Sequence, residues 1–256
     1  MTKIFFDSRK NSYFSRAKKN EIILKMFQTR SEQLELIDTG DYTAEEYDGF
    51  LREIRLVNRF MGDAWSLKKT LLREIENTGL KKFSLLDLGA GSGELLRVCA
   101  EFARDKKIRA ELFGLELNAR SAAAILEESK QFENIFSVRA DALRLPFADG
   151  AFDYAICSLF THHFSDANIV AILREMRRVS RRKIYVIDLH RHAVAYYFYT
   201  TIGKLFLHNR LVRSDGALSI LRSFKREELR ALGEKAQLEN VSVERHFPYR
   251  LVLRGG

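Results

Sequence analysis

The stretch Asp87-Leu88-Gly89-Ala90-Gly91-Ser92-Gly93 sets three glycines at alternate positions behind an acid. It lies between an apolar run, FSLLDL (83–88), and a helical pattern that begins at Glu94. Glycine there permits positive φ and lets a ligand approach the backbone, so the loop reads as a nucleotide-type binding turn. A phosphate-binding P-loop ends in Gly-Lys-Ser/Thr, but Gly93 is followed by Glu94 and Leu95. A dinucleotide loop needs its third glycine at position 94, where this chain carries an acid that would sit near a pyrophosphate. Both readings fit poorly.

The acid followed by G-x-G-x-G resembles motif I of the class I S-adenosylmethionine-dependent methyltransferases. That cofactor has no phosphate and carries a sulfonium and an ammonium, so acids around the loop suit it. The resemblance implies cofactor contacts from Asp87, Gly89, Gly91 and Gly93. Glu116 ends FGLELN, with Leu117 beside it, and an acid there can accept from both ribose hydroxyls. Asp141, after the third apolar run, can accept from the adenine amino group, with the Ala142 backbone beside it. The link Leu145-Pro146-Phe147, Asp149-Gly150, Phe152-Asp153 is similar to that of many small-molecule methyltransferases of the ubiquinone and menaquinone type. A weaker likeness, over 30–256, is to bacterial methyltransferases encoded beside type III polyketide synthases. It rests on ELIDTGDYTAEEYDGFLREIRLVNRFMG and on RSDGALSILRSFKREELRAL with FPYRLVLRG.

Methyl transfer is an in-line displacement, in which the protein aligns the acceptor and at times removes a proton. Acceptor groups are expected at the carboxyl ends of the fourth and fifth strands. The fourth ends in CSLFTHHF, with Ser158 beside the cofactor and His162 and His163 as candidate bases. The Asn/Asp-Pro-Pro-Tyr/Phe signature of nitrogen methylation is absent. Ile156 stands where RNA 5-methylcytosine enzymes carry the proline of Pro-Cys, and no acid ends the strand to hold a catechol-type metal. The fifth strand ends at Asp188, expected to face the cleft, followed by His190 and His192, whose spacing lacks an identifiable third ligand; no metal is expected. Tyr196, Tyr197, Phe198, Tyr199 and Phe206 then fall in an aromatic-rich insertion at about 190–222. They are expected either to line a pocket for an apolar acceptor or to pack on the N-terminal helices.

Positioning these residues requires a sheet. Short apolar runs at 83–88, 111–117, 135–140, 152–160 and 183–189 alternate mainly with helical patterns, which predicts a parallel α/β core. Near the C-terminus, VSVERHF and RLVLRG are separated only by Pro248-Tyr249 and can pair only as an antiparallel hairpin. The fold class is therefore α/β, and the resemblance implies a Rossmann-like, seven-stranded, mostly parallel sheet with an antiparallel last strand. Before residue 80 the chain reads as helical. Thr43 and Glu46 are spaced as a capping box, and Tyr47, Phe50, Leu51, Ile54, Val57 and Met61 form one apolar stripe. Further helices are predicted at 14–37 and 66–77. This gives a helical cap over 1–79 and a cofactor-binding domain over 80–256.

Composition narrows the class. Of 256 residues 46% are hydrophobic and 30% charged, as in a globular protein, and no apolar run reaches bilayer length. The N-terminus lacks a secretory apolar core, so the expected location is the cytoplasm, with peripheral membrane contact through the apolar insertion left open. Two cysteines, Cys99 and Cys157, exclude a disulfide framework. The net charge of +9 is concentrated in residues 1–30 and in RRVSRRK at 177–183. It raises an RNA methyltransferase as the first rival to a small-molecule enzyme. A cofactor-binding but catalytically idle subunit is the second.

Overall fold

The computed structural model describes residues 26–60 and 62–256. The basic residues of 1–25 and Met61 lie outside the described residues. Seven strands, β1 (Lys82–Leu88), β2 (Arg109–Glu116), β3 (Ile135–Arg139), β4 (Phe152–Ser158), β5 (Ser180–Leu189), β6 (Ser242–His246) and β7 (Arg250–Gly255), form one sheet in the order β3-β2-β1-β4-β5-β7-β6. The first five are parallel; β7 runs antiparallel to both β5 and β6.

Alternate residues of each central strand enter two separate cores, as a pleat buried on both faces requires. Leu86, Leu88, Ala155, Cys157, Ile184 and Val186 face the helices Asp166–Val179 and Arg226–Lys235. Leu85, Tyr154, Ile156, Tyr185 and Ile187 face the helix Glu94–Lys106 and a composite helix over 63–78. That composite is Asp63–Leu67, a π-helical Lys68–Leu72 and Arg73–Thr78; its Leu67, Leu71, Leu72 and Ile75 are all core residues. The boundary expected at 79 therefore cuts across a packed layer.

The helix Ala44–Phe60 opens with the expected capping box: Thr43 N–H donates to Glu46 Oε2 at 2.9 Å, and Glu46 N–H to Thr43 Oγ1 at 3.2 Å. Of the helix expected over 14–37, the first part lies outside the described residues. Between 27 and 35 the chain is not helical, and only the single turn Leu36–Thr39 follows. Side chains override local preference there. Arg30 donates to the carbonyls of Phe164 and Arg222, Arg191 to those of Phe27, Gln28 and Ser223, and Arg222 to that of Gln33. Asp215 accepts from the Leu36 and Ile37 amides. The segment is thereby strapped across the carboxyl ends of the strands. The insertion after β5 is itself helical, over Ala193–Phe198, a π-helical Tyr199–Gly203 and Arg210–Arg222.

Candidate active site

Strand order reverses between β1 and β4, the position at which open α/β sheets leave a crevice. A cavity of about 370 Å³ lies there, walled by the glycine loop, the helix Ala44–Phe60 and the strap. Gly89, Gly91 and Gly93 have φ of +67°, +58° and +80°. A Cβ on Gly89 would stand 2.3 Å from the Phe160 ring, whereas one on Gly91 would meet nothing within 4 Å. Gly91 thus supplies the turn conformation and leaves open space for a ligand.

The Gly91 N–H donates to Glu116 Oε1 at 2.6 Å. Burial raises the Glu116 carboxyl to about 7, against the opposing hydrogen bonds from the Gly91 and Leu117 amides. Asp87 is buried beneath the loop with its Oδ1 unpartnered, and burial together with Glu116 pushes its carboxyl well up. A buried acid, Asp87, and a half-buried one, Glu116, both with unused acceptor capacity beside open glycine backbone, fit a ligand that brings hydroxyl donors and positive charge. S-adenosylmethionine has both. Tyr47, Phe50, Leu51 and Ile54 of the apolar stripe cover this end, and Ser158 donates to Asp63 Oδ1 at 3.3 Å.

Other expected cofactor residues stand elsewhere. Gly93 begins the next helix and does not line the cavity. Leu117 is 66% exposed, and Asp141 is exposed and accepts from the Leu143 amide, both beyond the cavity wall. Ala142 is buried in the core.

The other end of the cavity holds His162 and His163, on a 3-10 turn after β4. His162 is buried, and its Nδ1 lies 2.6 Å from Asp188 Oδ1. Asp188 also accepts from Thr161 Oγ1 at 2.6 Å and from the His162 amide at 3.2 Å. Burial raises the Asp188 carboxyl, but His162 and these hydrogen bonds outweigh it and hold the group at about 2. A permanent carboxylate at Nδ1 fixes the proton there and leaves Nε2 as the free nitrogen. Nε2 is 3.8 Å from Oε1 of Glu35. Glu35 is buried with Oε1 unpartnered by hydrogen bonds, while Oε2 accepts from Ser219. Burial pushes its carboxyl up to about 7, partly offset by His163. His163 Nδ1 instead bonds Asp38 at 2.8 Å.

Contrary to the expectation that it faces the cleft, Asp188 stands behind His162 and orients it. Of the insertion aromatics only Tyr199 reaches the cavity, its hydroxyl donating to the Val212 carbonyl. Tyr196 packs edge-on against Phe27, and Tyr197, Phe198 and, beyond that helix, Phe206 are exposed.

Glu35 and Asp38 are not among the site residues expected from the sequence, where they fall in a stretch that enters only through its family likeness and a predicted helix over 14–37. Arg222 brings them in: it donates to the carbonyls of His162, His163 and Gln33 and lies 3.6 Å from Glu35 Oε1 and 3.4 Å from Asp38 Oδ2. Glu35, His162 and His163 form the one trio among the described residues that could hold a metal ion. The Arg222 guanidinium already supplies positive charge to that Glu35 oxygen. Cys157 is buried, and burial with Asp188 and Asp87 nearby pushes its thiol well up, which disfavours it as a nucleophile. In the 177–183 cluster, Arg178 binds Glu175, Asp149 and two carbonyls, Arg181 and Arg182 face Asp153, and Lys183 pairs with Glu74.

A family model described as a methyltransferase domain matches residues 85–183. The demethylmenaquinone methyltransferase of Staphylococcus aureus is 26% identical over 186 residues, 67% of this chain and 74% of that protein. Among solved structures, human N-acetylserotonin methyltransferase with bound S-adenosylmethionine covers 91% of this chain and 61% of its own, at 13% identity and TM-score 0.60. The magnesium protoporphyrin IX methyltransferase of Synechocystis covers 92% and 93%, at 14% identity and TM-score 0.53.

Proposed function

We propose that this chain, a class I S-adenosylmethionine-dependent methyltransferase acting on a small molecule, methylates a phenolic or enolic oxygen of a largely apolar acceptor. The cofactor supplies a methyl group activated by the sulfonium and leaves as S-adenosylhomocysteine. Gly91, Glu116 and Asp87 would hold its ribose and its cationic end. Leu117 and Asp141, outside the cavity wall, would meet the adenine, and the exposure of Leu117 leaves an apolar surface for that ring to cover.

The observation that carries the reading is the buried Asp188–His162 pair, whose histidine lines the same cavity as the glycine loop. His162 Nε2 would take the hydroxyl proton of the acceptor, and Asp188 would stabilise the imidazolium through Nδ1–H. Glu35, ionising near 7, would share that proton or accept from a second hydroxyl on the same ring. Tyr47, Phe50, Ile54 and Tyr199 supply apolar walls that exclude water. A ring carbon beside the ionised hydroxyl is the near variant, favoured by the likeness to a demethylmenaquinone methyltransferase. An RNA acceptor finds less support, since most cations of the 177–183 cluster are engaged in intramolecular pairs.

The test offers methyl-labelled S-adenosylmethionine with total RNA or, separately, with a panel of phenols, quinols and polyketides. Label in a phenolic or quinol product is expected, and NMR of the product separates oxygen from carbon. Label in RNA alone would overturn the proposal.

A further inference from the structure

A second cavity, of about 570 Å³, opens where β5 ends, beside the β6–β7 hairpin. His190, His192, Lys225, Arg245, His246 and Arg250 line it, and Glu227 is its one acidic lining residue. Among the described residues, neither Lys225 nor Arg245 has an ion pair or side-chain hydrogen bond. Burial, with Arg245 and His192 adding to it and Glu227 opposing, lowers the His190 ring to about 4, so that ring is neutral at neutral pH.

Two buried polar atoms in the wall are unpartnered among the described residues: His246 Nδ1 and Arg250 Nη1. The side chains are 8% and 2% exposed. The other Arg250 nitrogens are spent on Asp63, at 2.7 and 2.8 Å. Arg250 also borders the methyl-transfer cavity, whereas His246 lines only this one. Arg250 Nη1 is a donor that a bound oxyanion would satisfy, whereas His246, whose Nε2 lies 3.7 Å from the Glu244 carboxylate, keeps Nδ1 as an acceptor.

We propose that this second cavity is a binding site for a phosphate group. Donors converge on it from the end of β5, the start of the helix Arg226–Lys235 and the hairpin, so they surround a ligand on several sides. A tetrahedral oxyanion can accept from all of these directions, whereas a planar carboxylate presents only two oxygens. The source is either free phosphate or a phosphoester on a larger molecule. The assignment does not depend on which acceptor is methylated.

Trp65 is the only tryptophan in the chain and meets the His246 ring edge-on, with centroids 5.4 Å apart. It is therefore a built-in reporter. The full-length protein would be titrated with inorganic phosphate and with phenyl phosphate at constant ionic strength, followed by Trp65 fluorescence and by calorimetry. Saturable binding is expected, weakened at least about tenfold in the Lys225→Gln/Arg245→Gln double variant. Its S-adenosylhomocysteine affinity should be unchanged, which certifies the fold. Tighter binding of phenyl phosphate would identify a phosphoester, and equal binding free phosphate. Absence of both heat and fluorescence change, a response reproduced by chloride, or unaltered affinity in the double variant would overturn the proposal.

Discussion

At His162 the choice of protonated nitrogen is made by the residue behind it. Asp188 is fully buried, accepts three hydrogen bonds from the 161–162 turn and is held at about 2, so it stays a carboxylate throughout the working range. Asn at 188 would keep the size but present an amide, whose N–H₂ turned toward Nδ1 favours the other tautomer and blocks Nε2 as a base. Asp188→Asn is expected to lower kcat by about 10²- to 10⁴-fold, the usual contribution of a general base. Cofactor affinity should stay within about twofold, since Asp188 does not border the cavity. The discriminating readout is the pH profile. As pH rises toward the pKa of the acceptor hydroxyl, the acceptor ionises unaided and the deficit should shrink. A deficit constant with pH would leave Asp188 with a purely structural role.

At the scale of elements, the cavity is held together by contacts between segments far apart in the chain. Asp63, at the start of the composite helix, accepts both hydrogen bonds from Arg250 at the start of β7 and a third from Ser158 at the end of β4. Asp63 and Arg250 are each only 2% exposed. Asp63→Ala would leave a buried guanidinium without its counter-ion and is expected to destabilise the fold by about 3–5 kcal/mol. In the paired Asp63→Leu/Arg250→Met variant no unpaired charge remains, so denaturant titration should show most of the loss restored. Such contacts also mark the limit of what the sequence discloses. The period-two strands, the capping box at Thr43 and the positive-φ glycines are local patterns, and each is legible because its cause lies within a few residues. Glu35 is not legible as a site residue because Arg222, Ser219 and His162, which define its surroundings, lie more than a hundred positions away. Tyr197 and Phe206 mislead for the same reason: their aromatic character is visible, but their exposure is not.

Over the whole molecule, three acids of one cavity, Glu35 and Asp87 buried and Glu116 half-buried, couple folding, cofactor affinity and pH. Glu116 and Glu35 are raised to about 7 and Asp87 is pushed up in the same direction, against ordinary values near 4. A raised carboxyl stabilises the fold fully below its unfolded value, and that contribution is lost as pH rises through the folded value. These acids should therefore cost the ligand-free protein stability as pH rises from about 4 to 7, opposed over part of that window by His190, whose ring, held at about 4, adds stability as pH rises toward its ordinary value. Asp188 acts with the opposite sign but lower down: its contribution is present above about 4 and is lost only as pH falls toward 2. Cofactor binding reverses the upper trend, because ribose hydroxyls donate to the ionised form of Glu116 and a cationic group favours ionised Asp87. Binding thus releases protons, and affinity for S-adenosylhomocysteine should rise roughly tenfold between pH 6 and pH 8. The thermal shift on adding ligand should grow over the same interval. Glu116→Gln, which cannot ionise, should bind more weakly at pH 8 and show a shallower pH dependence. Calorimetry in two buffers of different ionisation enthalpy would count the released protons directly. A pH-independent affinity in the unaltered protein would mean that Glu116 does not receive the ribose.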